Sequence, residues 1–404
     1  MNTEELFQKV KEKLPIKHDS DDFITDVKKA YKEFFDDVLS LEIDAFGSEV
    51  LKSTIVQDVK VRIRNIVLVL ERYFQGCHSE AYQLLKEQIM KHNGFLDIDV
   101  INKGKGDYFY RARNNDGSIH SFEDMFHIPN NKRGIVKTER FSAPGYPCLY
   151  LGNKVYDCWE EMGRPSFEEL FFSGFRVVKD FMLYDLRKPN KLAFEKENLP
   201  KTLRRLVYII ACQFKVLHKE QPFKPEYIIP QLILELIISS NREKNKKECG
   251  PYELPWGIAY TSTHQSKDFQ YQEDYLENVA IPVVDSRYNN VHCGFLASLF
   301  EISDPICYRY EELKARQTGL FWEPMDSDEK EKIVTEYAST KLGFIERRLE
   351  KDTIHHSLKY LVIDGPKTIV FPPEGGLKNV LIKSNTTWSV ASVNLSDEFE
   401  NLFE

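Results

Sequence analysis

The sequence lacks the long apolar runs and the cysteine pairs that mark several large protein classes. Its longest nearly apolar stretch, residues 227–238, contains polar residues and is shorter than the ~20 apolar residues that cross a bilayer. The seven cysteines form no CxxC or CxxH pair, which argues against a disulfide framework and a zinc ribbon. The first residues show no basic region followed by an apolar run, so no secretory signal is expected. We therefore expect a cytoplasmic protein without a membrane span.

An excess of positive charge is also missing. The chain has 55 Lys and Arg against 63 Asp and Glu, a net charge of -8, which gives no overall attraction to nucleic acid or to anionic lipid. Four common motifs are absent as well: G-x-x-x-x-G-K-[ST], G-x-G-x-x-G, H-E-x-x-H and G-x-S-x-G. These absences leave P-loop NTPases, dinucleotide-binding Rossmann domains, zincins and α/β-hydrolases without support. No specific nucleic-acid partner is expected.

What remains is the composition of an ordinary globular protein, with 42% hydrophobic and 29% charged residues. The 404 residues suit two domains, or one large domain with additions. Residues 1–100 are predicted to form a helical bundle, because apolar residues recur there at spacings of three and four. Residues 105–315 follow a polar, Gly-rich break and mix strand-like with helical segments. Residues 316–404 form a C-terminal extension of unknown role, and the fold class is α+β.

Individual elements are predicted from short apolar or β-branched runs bounded by Gly, Pro and Asn. Strands are predicted at 108–113, 148–151, 181–186, 257–261, 279–284, 360–371 and 380–383. Helices are predicted at 201–217 and 227–239, and in the charged segments 327–332 and 346–351. The adjacent His355 and His356 are expected in a helical, solvated context.

A short pattern in the N-terminal part suggests one functional site. Arg72 and His78, at a helix end, match the loose R-x(4–6)-H pattern of helical-bundle ribonucleases of the HEPN class. Tyr73 follows the arginine where a small polar residue is usual, and Gly76 interrupts the helix. The competing interpretation is a surface arginine that interacts with the helix dipole.

Residues suited to binding phosphate are denser in the middle of the chain. Arg111 and Arg113 alternate along a predicted strand and therefore share one face. Two fixed guanidiniums suit a pyrophosphate, although an exposed strand with salt bridges is the structural alternative. Arg140 begins a second segment, in which a Pro-Gly turn leads into the strand at 148–151.

Carboxylates and hydroxyls follow in a fixed order. Tyr150 lies near the end of that second strand, and the acidic pair Glu160 and Glu161 follows, with Glu161 eleven residues after the tyrosine. A third segment, 256–262, is an apolar strand that ends in a hydroxyl cluster, Ser262 among them. Each segment alone is also explained as a structural strand.

Together, these segments resemble the RES domain, a family named for its arginine, glutamate and serine. The resemblance covers about residues 108–310, roughly half of the chain, and includes the helix 226–235 that precedes the serine strand. It implies an ADP-ribosyltransferase-like mixed β core with helices, and the preceding bundle resembles the HEPN-type bundle that accompanies some RES domains. Two positions depart from the family pattern: Arg113 stands where a small residue is frequent, and Thr261 replaces a common proline.

The resemblance implies an enzyme that consumes NAD+ by cleaving the bond between nicotinamide and ribose, as a glycohydrolase or a phosphorylase. The implied catalytic residues are Glu161, Tyr150, Arg111 and Ser262, and the implied substrate-binding residues are Arg111, Arg113, Arg140, Tyr150 and Ser262. A carboxylate at Glu161 would stabilise the oxocarbenium-like ribose, with Glu160 as the adjacent alternative. NAD+ is then a substrate, inorganic phosphate is an alternative acceptor to water, and neither a cofactor nor a metal is implied.

The resemblance also implies a biological role and partners. Many RES proteins arrest growth as toxins, so we expect a toxin or phage-defence effector that is held inactive by an antitoxin, a regulatory protein or its own flanking regions. A homo-oligomer is expected. One alternative is an ADP-ribosyltransferase that modifies a macromolecule. Another is an NAD+-binding sensor coupled to a ribonuclease bundle, in which activity depends on Arg72 and His78.

Overall fold

The computed structural model describes residues 1–90, 99–115, 121–244, 254–264, 277–284, 292–308 and 340–357, and four backbone strands between 360 and 393. Its N-terminal part is helical, as predicted: α1 (Thr3–Lys13), α2 (Phe23–Leu39), α3 (Glu49–Phe74) and α4 (His78–Met90). The side chains of Asn2, Asp22 and Ser48 accept hydrogen bonds from first-turn backbone N–H groups of α1, α2 and α3. Such caps define where these helices begin.

The remainder of the described chain alternates strands and helices. The strands are β1 (Val100–Lys103), β2 (Tyr108–Asn114), β3 (Cys148–Gly152), β4 (Leu170–Val177), β5 (Phe181–Leu186), β6 (Gly257–Tyr260), β7 (Asn278–Pro282), β8 (Phe300–Ser303), β9 (His355–Ser357), β10 (Tyr360–Asp364), β11 (Thr368–Ile369), β12 (Lys378–Ser384) and β13 (Thr387–Val393). The helices are α5 (Val155–Glu161), α6 (Leu199–Cys212), α7 (Ile228–Lys244), α8 (Gly294–Leu299) and α9 (Lys341–Arg347).

Nine of these strands form one mixed sheet in the order β1-β5-β6-β7-β3-β2-β4-β8-β9. Strands β5 and β6 run parallel, and the other neighbours run antiparallel. Strands β10 to β13 form a second, four-stranded sheet. A helical N-terminal part followed by a mixed sheet confirms the predicted α+β class. Its likeness to ADP-ribosyltransferase folds stays a prediction.

One apolar core joins the N-terminal helices to the sheet. Buried residues of α3, α6, α7 and β6 belong to a single cluster, among them Ile66, Val207, Ile233 and Ile258. The buried hydroxyl of Tyr31 in α2 also donates a hydrogen bond to the Val207 carbonyl, at 2.6 Å. Helices α6 and α7 therefore belong by packing to the N-terminal helices as much as to the strands. The predicted domain division at 100–105 separates segments of sequence that share this core.

Most predicted strands lie within about two residues of the observed ones, and four predictions need correction. The single strand predicted at 360–371 is instead two strands, β10 and β11, which pair antiparallel. His355 and His356 lie in the short strand β9, because pairing with β8 outweighs the helical surroundings of the sequence. The helix predicted at 201–217 ends at Cys212. Strand β1 lies inside the break at the predicted domain boundary, where antiparallel pairing with β5 holds a polar segment extended. The segment 327–332 lies outside the described residues.

Within the ranges given above, no helix combines the length and the apolar character needed to cross a bilayer.

Candidate active site

A cavity of about 380 Å³ gathers four of the predicted site residues. Arg111 comes from β2, Arg140 from the segment before β3, Tyr150 from β3, and Glu161 from the end of α5. The volume lies in the range of small-molecule sites. The sheet and α5 thus bring together side chains from four separate segments.

The register of β3 and β7 explains part of this arrangement. Tyr150 lies opposite Ala280 and Gly152 lies opposite Asn278, so alternate residues of both strands share the face that lines the cavity. A Cβ atom at Gly152 would lie 3.0 Å from Cβ of Asp157 and 3.1 Å from Sγ of Cys158. Glycine at this position therefore allows α5 to approach the sheet, which places Glu161 at the cavity.

Glu161 and Glu160 lie in different surroundings. Oε1 of Glu161 accepts a hydrogen bond from Nδ2 of the buried Asn278, at 2.7 Å. Glu160 is buried and does not line the cavity; its Oε1 accepts from the Tyr156 hydroxyl and lies 2.5 Å from Nη2 of Arg164. The cavity therefore contains the carboxylate of Glu161, while that of Glu160 belongs to an ion pair on the other side of α5.

Arg111 lines the cavity and carries a buried hydrogen-bond donor. Its Nη1 atom is buried and has no hydrogen-bond partner among the described residues. Burial, and next the nearby Arg113, lower the pKa of the Arg111 guanidinium. Because arginine stays protonated in proteins, the result is a cation without a hydrogen-bond acceptor at Nη1. An anionic ligand would supply that acceptor.

Arg140 is a second cation, held in a fixed position. Its Nη1 donates to the Cys212 carbonyl at 2.9 Å, and its Nη2 donates to Oγ1 of Thr263 at 2.8 Å. Its guanidinium carbon lies 5.1 Å from the centre of the Tyr227 ring. These partners are uncharged, so they orient the guanidinium without neutralising it.

Tyr150 is suited to orientation rather than to proton abstraction. Its hydroxyl donates to Oγ of Ser142 at 3.0 Å. Burial, followed by the neighbouring Cys148 and Tyr260, raises the pKa of Tyr150 well above its usual value. The phenol therefore stays protonated at neutral pH.

Two predicted residues lie away from the cavity wall. Ser262 is buried, and its Oγ accepts from the backbone N–H of His264 at 3.0 Å. Arg113 donates from Nη2 to the Phe126 carbonyl at 2.7 Å. The structure thus brings Arg111, Arg140, Tyr150 and Glu161 together. The side chains of Ser262 and Arg113 instead form hydrogen bonds with the backbone of nearby loop residues.

Sequence reasoning missed several residues of the wall. Asn278, Glu139 and His264 line the cavity. Burial, and then Glu161, raise the pKa of Glu139, whereas burial lowers the pKa of His264 and Glu161 opposes that shift. His264 lies two residues after Ser262, the end of the predicted hydroxyl cluster, and could have been found there. Asn278 precedes a predicted strand, and nothing in the neighbouring sequence indicates its contact with Glu161.

A C-terminal helix supports the helix that carries Glu161. The N-cap residue of α5, Lys154, makes no side-chain capping bond. Instead, the backbone N–H of Val155 donates to Oε1 of the buried Glu346 in α9, at 2.8 Å. Leu342 and Ile345 of α9 are buried in the same apolar cluster as Val155. The beginning of α5 is therefore completed by a residue from the predicted C-terminal extension.

A further carboxyl group, that of Asp157, lies near the beginning of α5. Asp157 of α5 is buried, and neither of its carboxyl oxygens has a hydrogen-bond partner among the described residues. Burial, and next the charges of Glu161 and Glu346, raise the pKa of Asp157 well above its usual value. The folded chain therefore favours the neutral form of this acid.

Comparison with known proteins gives one relative. No protein-family model matches the chain, and no solved structure matches it at a significant level. The chain is 32% identical over 334 residues to a protein of Bacillus subtilis (strain 168) named "Putative toxin YopC". The match spans 78% of this chain and 70% of that protein.

Proposed function

Because this chain belongs to the family of the Bacillus subtilis protein named "Putative toxin YopC", we propose that it is a toxin of the RES type that degrades NAD+. The observation that carries the proposal is one cavity that contains two cations, Arg111 and Arg140, together with a phenol and the carboxylate of Glu161. These are the groups that a dinucleotide with a pyrophosphate and a scissile glycosidic bond requires.

The proposed reaction breaks the bond between the ribose C1′ and the nicotinamide nitrogen. The bonding electron pair leaves with nicotinamide, which becomes a neutral ring, and the ribose acquires oxocarbenium character. The carboxylate of Glu161 stabilises this positive charge, which develops only in the transition state. An oxygen of water or of hydrogen phosphate then bonds to C1′, and its proton passes to the solvent. Water as acceptor gives ADP-ribose, and phosphate gives the corresponding sugar phosphate.

The other residues bind and orient the substrate. Asn278 donates to Oε1 of Glu161, which fixes the carboxylate and leaves Oε2 to face a ribose hydroxyl. Arg111 and Arg140 bind phosphate oxygens through charge-assisted hydrogen bonds. Tyr150, protonated and held by Ser142, positions the ribose or the nicotinamide ring.

The test is nicotinamide release from NAD+ by the purified protein, with and without phosphate in the buffer. Glu161→Gln should lower turnover about 100-fold or more, because the amide no longer offers negative charge to the transition state. Glu160→Gln is the matched control, since it changes the adjacent carboxylate outside the cavity, and it should keep turnover once folding is verified by circular dichroism. Undiminished turnover in Glu161→Gln contradicts the assignment.

Two alternatives are tested by the same preparation. An ADP-ribosyltransferase would transfer label from NAD+ to protein or nucleic acid. A sensor with a ribonuclease bundle would cleave RNA in a manner that depends on Arg72 and His78. The structure adds no support to that alternative. In the last turn of α3, Arg72 donates to Oε1 of Gln75 at 3.1 Å, and His78 at the beginning of α4 stacks on Tyr73 with ring centres 4.3 Å apart.

The cellular setting follows from the proposed activity. A chain that depletes NAD+ arrests the growth of its own cell, so we include in the proposal a cytoplasmic location, an antitoxin or regulatory protein that restrains the enzyme, and a role in growth arrest or phage defence. Self-association is part of the same proposal.

A further inference from the structure

The candidate active site contains a histidine to which the proposed reaction assigns no role. His264 lines the cavity together with Glu161 and Arg140. It follows strand β6, and its backbone N–H donates to Oγ of Ser262 at 3.0 Å. The preceding residue, Thr263, accepts a hydrogen bond from Nη2 of Arg140 at 2.8 Å. These two contacts fix the backbone from which the imidazole of His264 extends.

The surroundings of this imidazole favour its neutral form. Partial burial lowers the pKa of His264, and the charge of Glu161 opposes that shift. Smaller contributions in the lowering direction come from cations on other segments: Lys219, Arg140 and Lys215. Because the ordinary histidine pKa is about 6.5, a lowered pKa leaves the ring neutral at pH 7. A neutral imidazole has one nitrogen that can accept a proton.

The same residue keeps contact with the solvent. Part of the surface of His264 is exposed, although the residue lines the cavity. Its hydrogen bond with Ser262 involves the backbone N–H and not the ring. A proton that reaches the imidazole can therefore pass on to bulk water, which restores the neutral ring for the next turnover.

We propose that His264 is the general base that removes the proton of the attacking water molecule. This inference rests on the proposed function and deepens its last step. After the nicotinamide nitrogen has left with the bonding electron pair, an electron pair of the water oxygen forms the new bond to the ribose C1′. The proton of that water passes to the free ring nitrogen of His264 and from there to the solvent. The products are nicotinamide, ADP-ribose and a proton, and Glu161 keeps its negative charge throughout.

The competing base in the cavity is Glu139, which also lines the wall. Burial, and then the charge of Glu161, raise the pKa of Glu139, while Lys224 and Lys137 oppose that shift. These two cations stabilise the ionised form of the carboxylate and reduce its tendency to take up a proton. A general base works best when its pKa lies near the working pH, and an imidazole meets that condition more closely than a carboxylate beside two cations. The structure therefore favours His264.

The test measures ADP-ribose formation and nicotinamide release from NAD+ in phosphate-free buffer, with and without sodium azide. Azide is an anionic acceptor that bonds to C1′ without losing a proton, so it needs no general base. His264→Asn should lower ADP-ribose formation by wild-type protein about 100-fold. Azide should then raise nicotinamide release by this variant about tenfold or more, because the base is no longer required. The expected product is the glycosyl azide, which mass spectrometry detects.

Two further variants serve as comparisons. His218→Asn is the matched control and should keep full turnover, since His218 is exposed, lies 2.8 Å from Asp21 and does not line the cavity. Glu139→Gln removes the competing carboxylate and should gain nothing from azide. His264→Gln is measured beside His264→Asn, and circular dichroism verifies folding, so that a folding defect in one variant leaves the test decisive.

The outcomes separate this inference from the proposed function. Undiminished ADP-ribose formation in His264→Asn, a loss that azide does not restore, or restoration of Glu139→Gln alone overturns the role of His264. Wild-type turnover that requires phosphate also overturns it, because no water is then activated. In each of these cases, nicotinamide release by the wild-type protein leaves the proposed function standing. Absence of release by the wild type contradicts the proposed function and this inference together.

Discussion

Two arginines with buried guanidinium nitrogens, Arg62 in the helical part and the half-buried Arg111 in the sheet, differ in the partners that the chain supplies to them. Arg62 donates from Nε to Oδ1 of Asp58 at 3.0 Å and from Nη1 to the Tyr208 hydroxyl at 3.1 Å. That hydroxyl also accepts from Nε2 of Gln88 at 3.0 Å. Nη1 of Arg111 has no such partner among the described residues.

The difference separates a residue whose charge is satisfied within the fold from one whose donor is available to the proposed ligand. A buried charge is tolerated when its own structure supplies partners, as Asp58 and Tyr208 do for Arg62. A buried donor without a partner destabilises the free protein and gains its hydrogen bond only when a ligand arrives. Substitutions at the two sites should therefore have opposite effects on stability and on activity.

The largest effect is expected at Arg111. Arg111→Gln should reduce nicotinamide release about 100-fold or more, because a cation of the proposed substrate site is lost. The free energy of unfolding should stay the same or rise, since an unsatisfied buried charge is removed. Urea denaturation and turnover, measured on the same preparation, check both parts. A large loss of stability would show that Arg111 serves the fold.

The converse is expected at Arg62. Arg62→Met should lower the free energy of unfolding by about 2 kcal/mol, because it removes a charged hydrogen bond and a partner of Tyr208. Asp58 keeps its second partner, Nε of Arg204, at 2.6 Å, which limits the loss. Turnover per folded molecule should be unchanged. A drop in turnover at full folding would place Arg62 in the functional machinery and break the comparison.

An intermediate effect is expected at Asn278, whose side chain already has a hydrogen-bond partner in the candidate site, Glu161. Asn278→Asp places a second carboxylate beside Glu161 and should raise the pKa of the pair. Turnover at neutral pH should fall about tenfold, and the acidic limb of the pH–rate profile should move to higher pH. Asn278→Ala, which removes the hydrogen bond without adding charge, should lower turnover without that displacement. Identical profiles for both variants would show that Asn278 has only a structural role.

The smallest effect is expected at Asp157. The pKa of Asp157 is raised in the folded state. Below the ordinary carboxyl pKa of about 4, the group is protonated in both the folded and the unfolded chain and costs no stability by titration. As the pH rises from there toward the raised pKa, the unfolded chain ionises first and the free energy of unfolding falls. Asp157→Asn removes this titration and should increase the free energy of unfolding at pH 7 by about 1 kcal/mol. The gain should vanish near pH 3. Urea denaturation from pH 3 to pH 8 measures it, and a gain independent of pH would contradict the assignment.

The sequence predicts those features that depend on neighbouring residues. Helices α2 to α4 follow from apolar spacing, and β2 follows from the aromatic run in 108–113, so Arg111 could be placed on a strand. Glu161 could be proposed as a site residue because it lies eleven residues after Tyr150, as the family pattern requires. What could not be predicted depends on pairing between distant segments. Asn278 contacts Glu161 only because β7 pairs with β3, and β9 is a strand only because β8 lies beside it.

The bond between Glu346 and the first turn of α5 bears on the time at which the proposed toxin becomes active during its own synthesis. A ribosome adds roughly 5–20 residues per second, and Glu346 emerges many seconds after the segment that contains Glu161. Until then, the beginning of α5 lacks its capping carboxylate and the apolar cover of α9. We expect unfinished chains to hold Glu161 loosely and to turn over little NAD+. The translating cell would thereby gain an interval in which an inhibitor can bind before the proposed enzyme is complete.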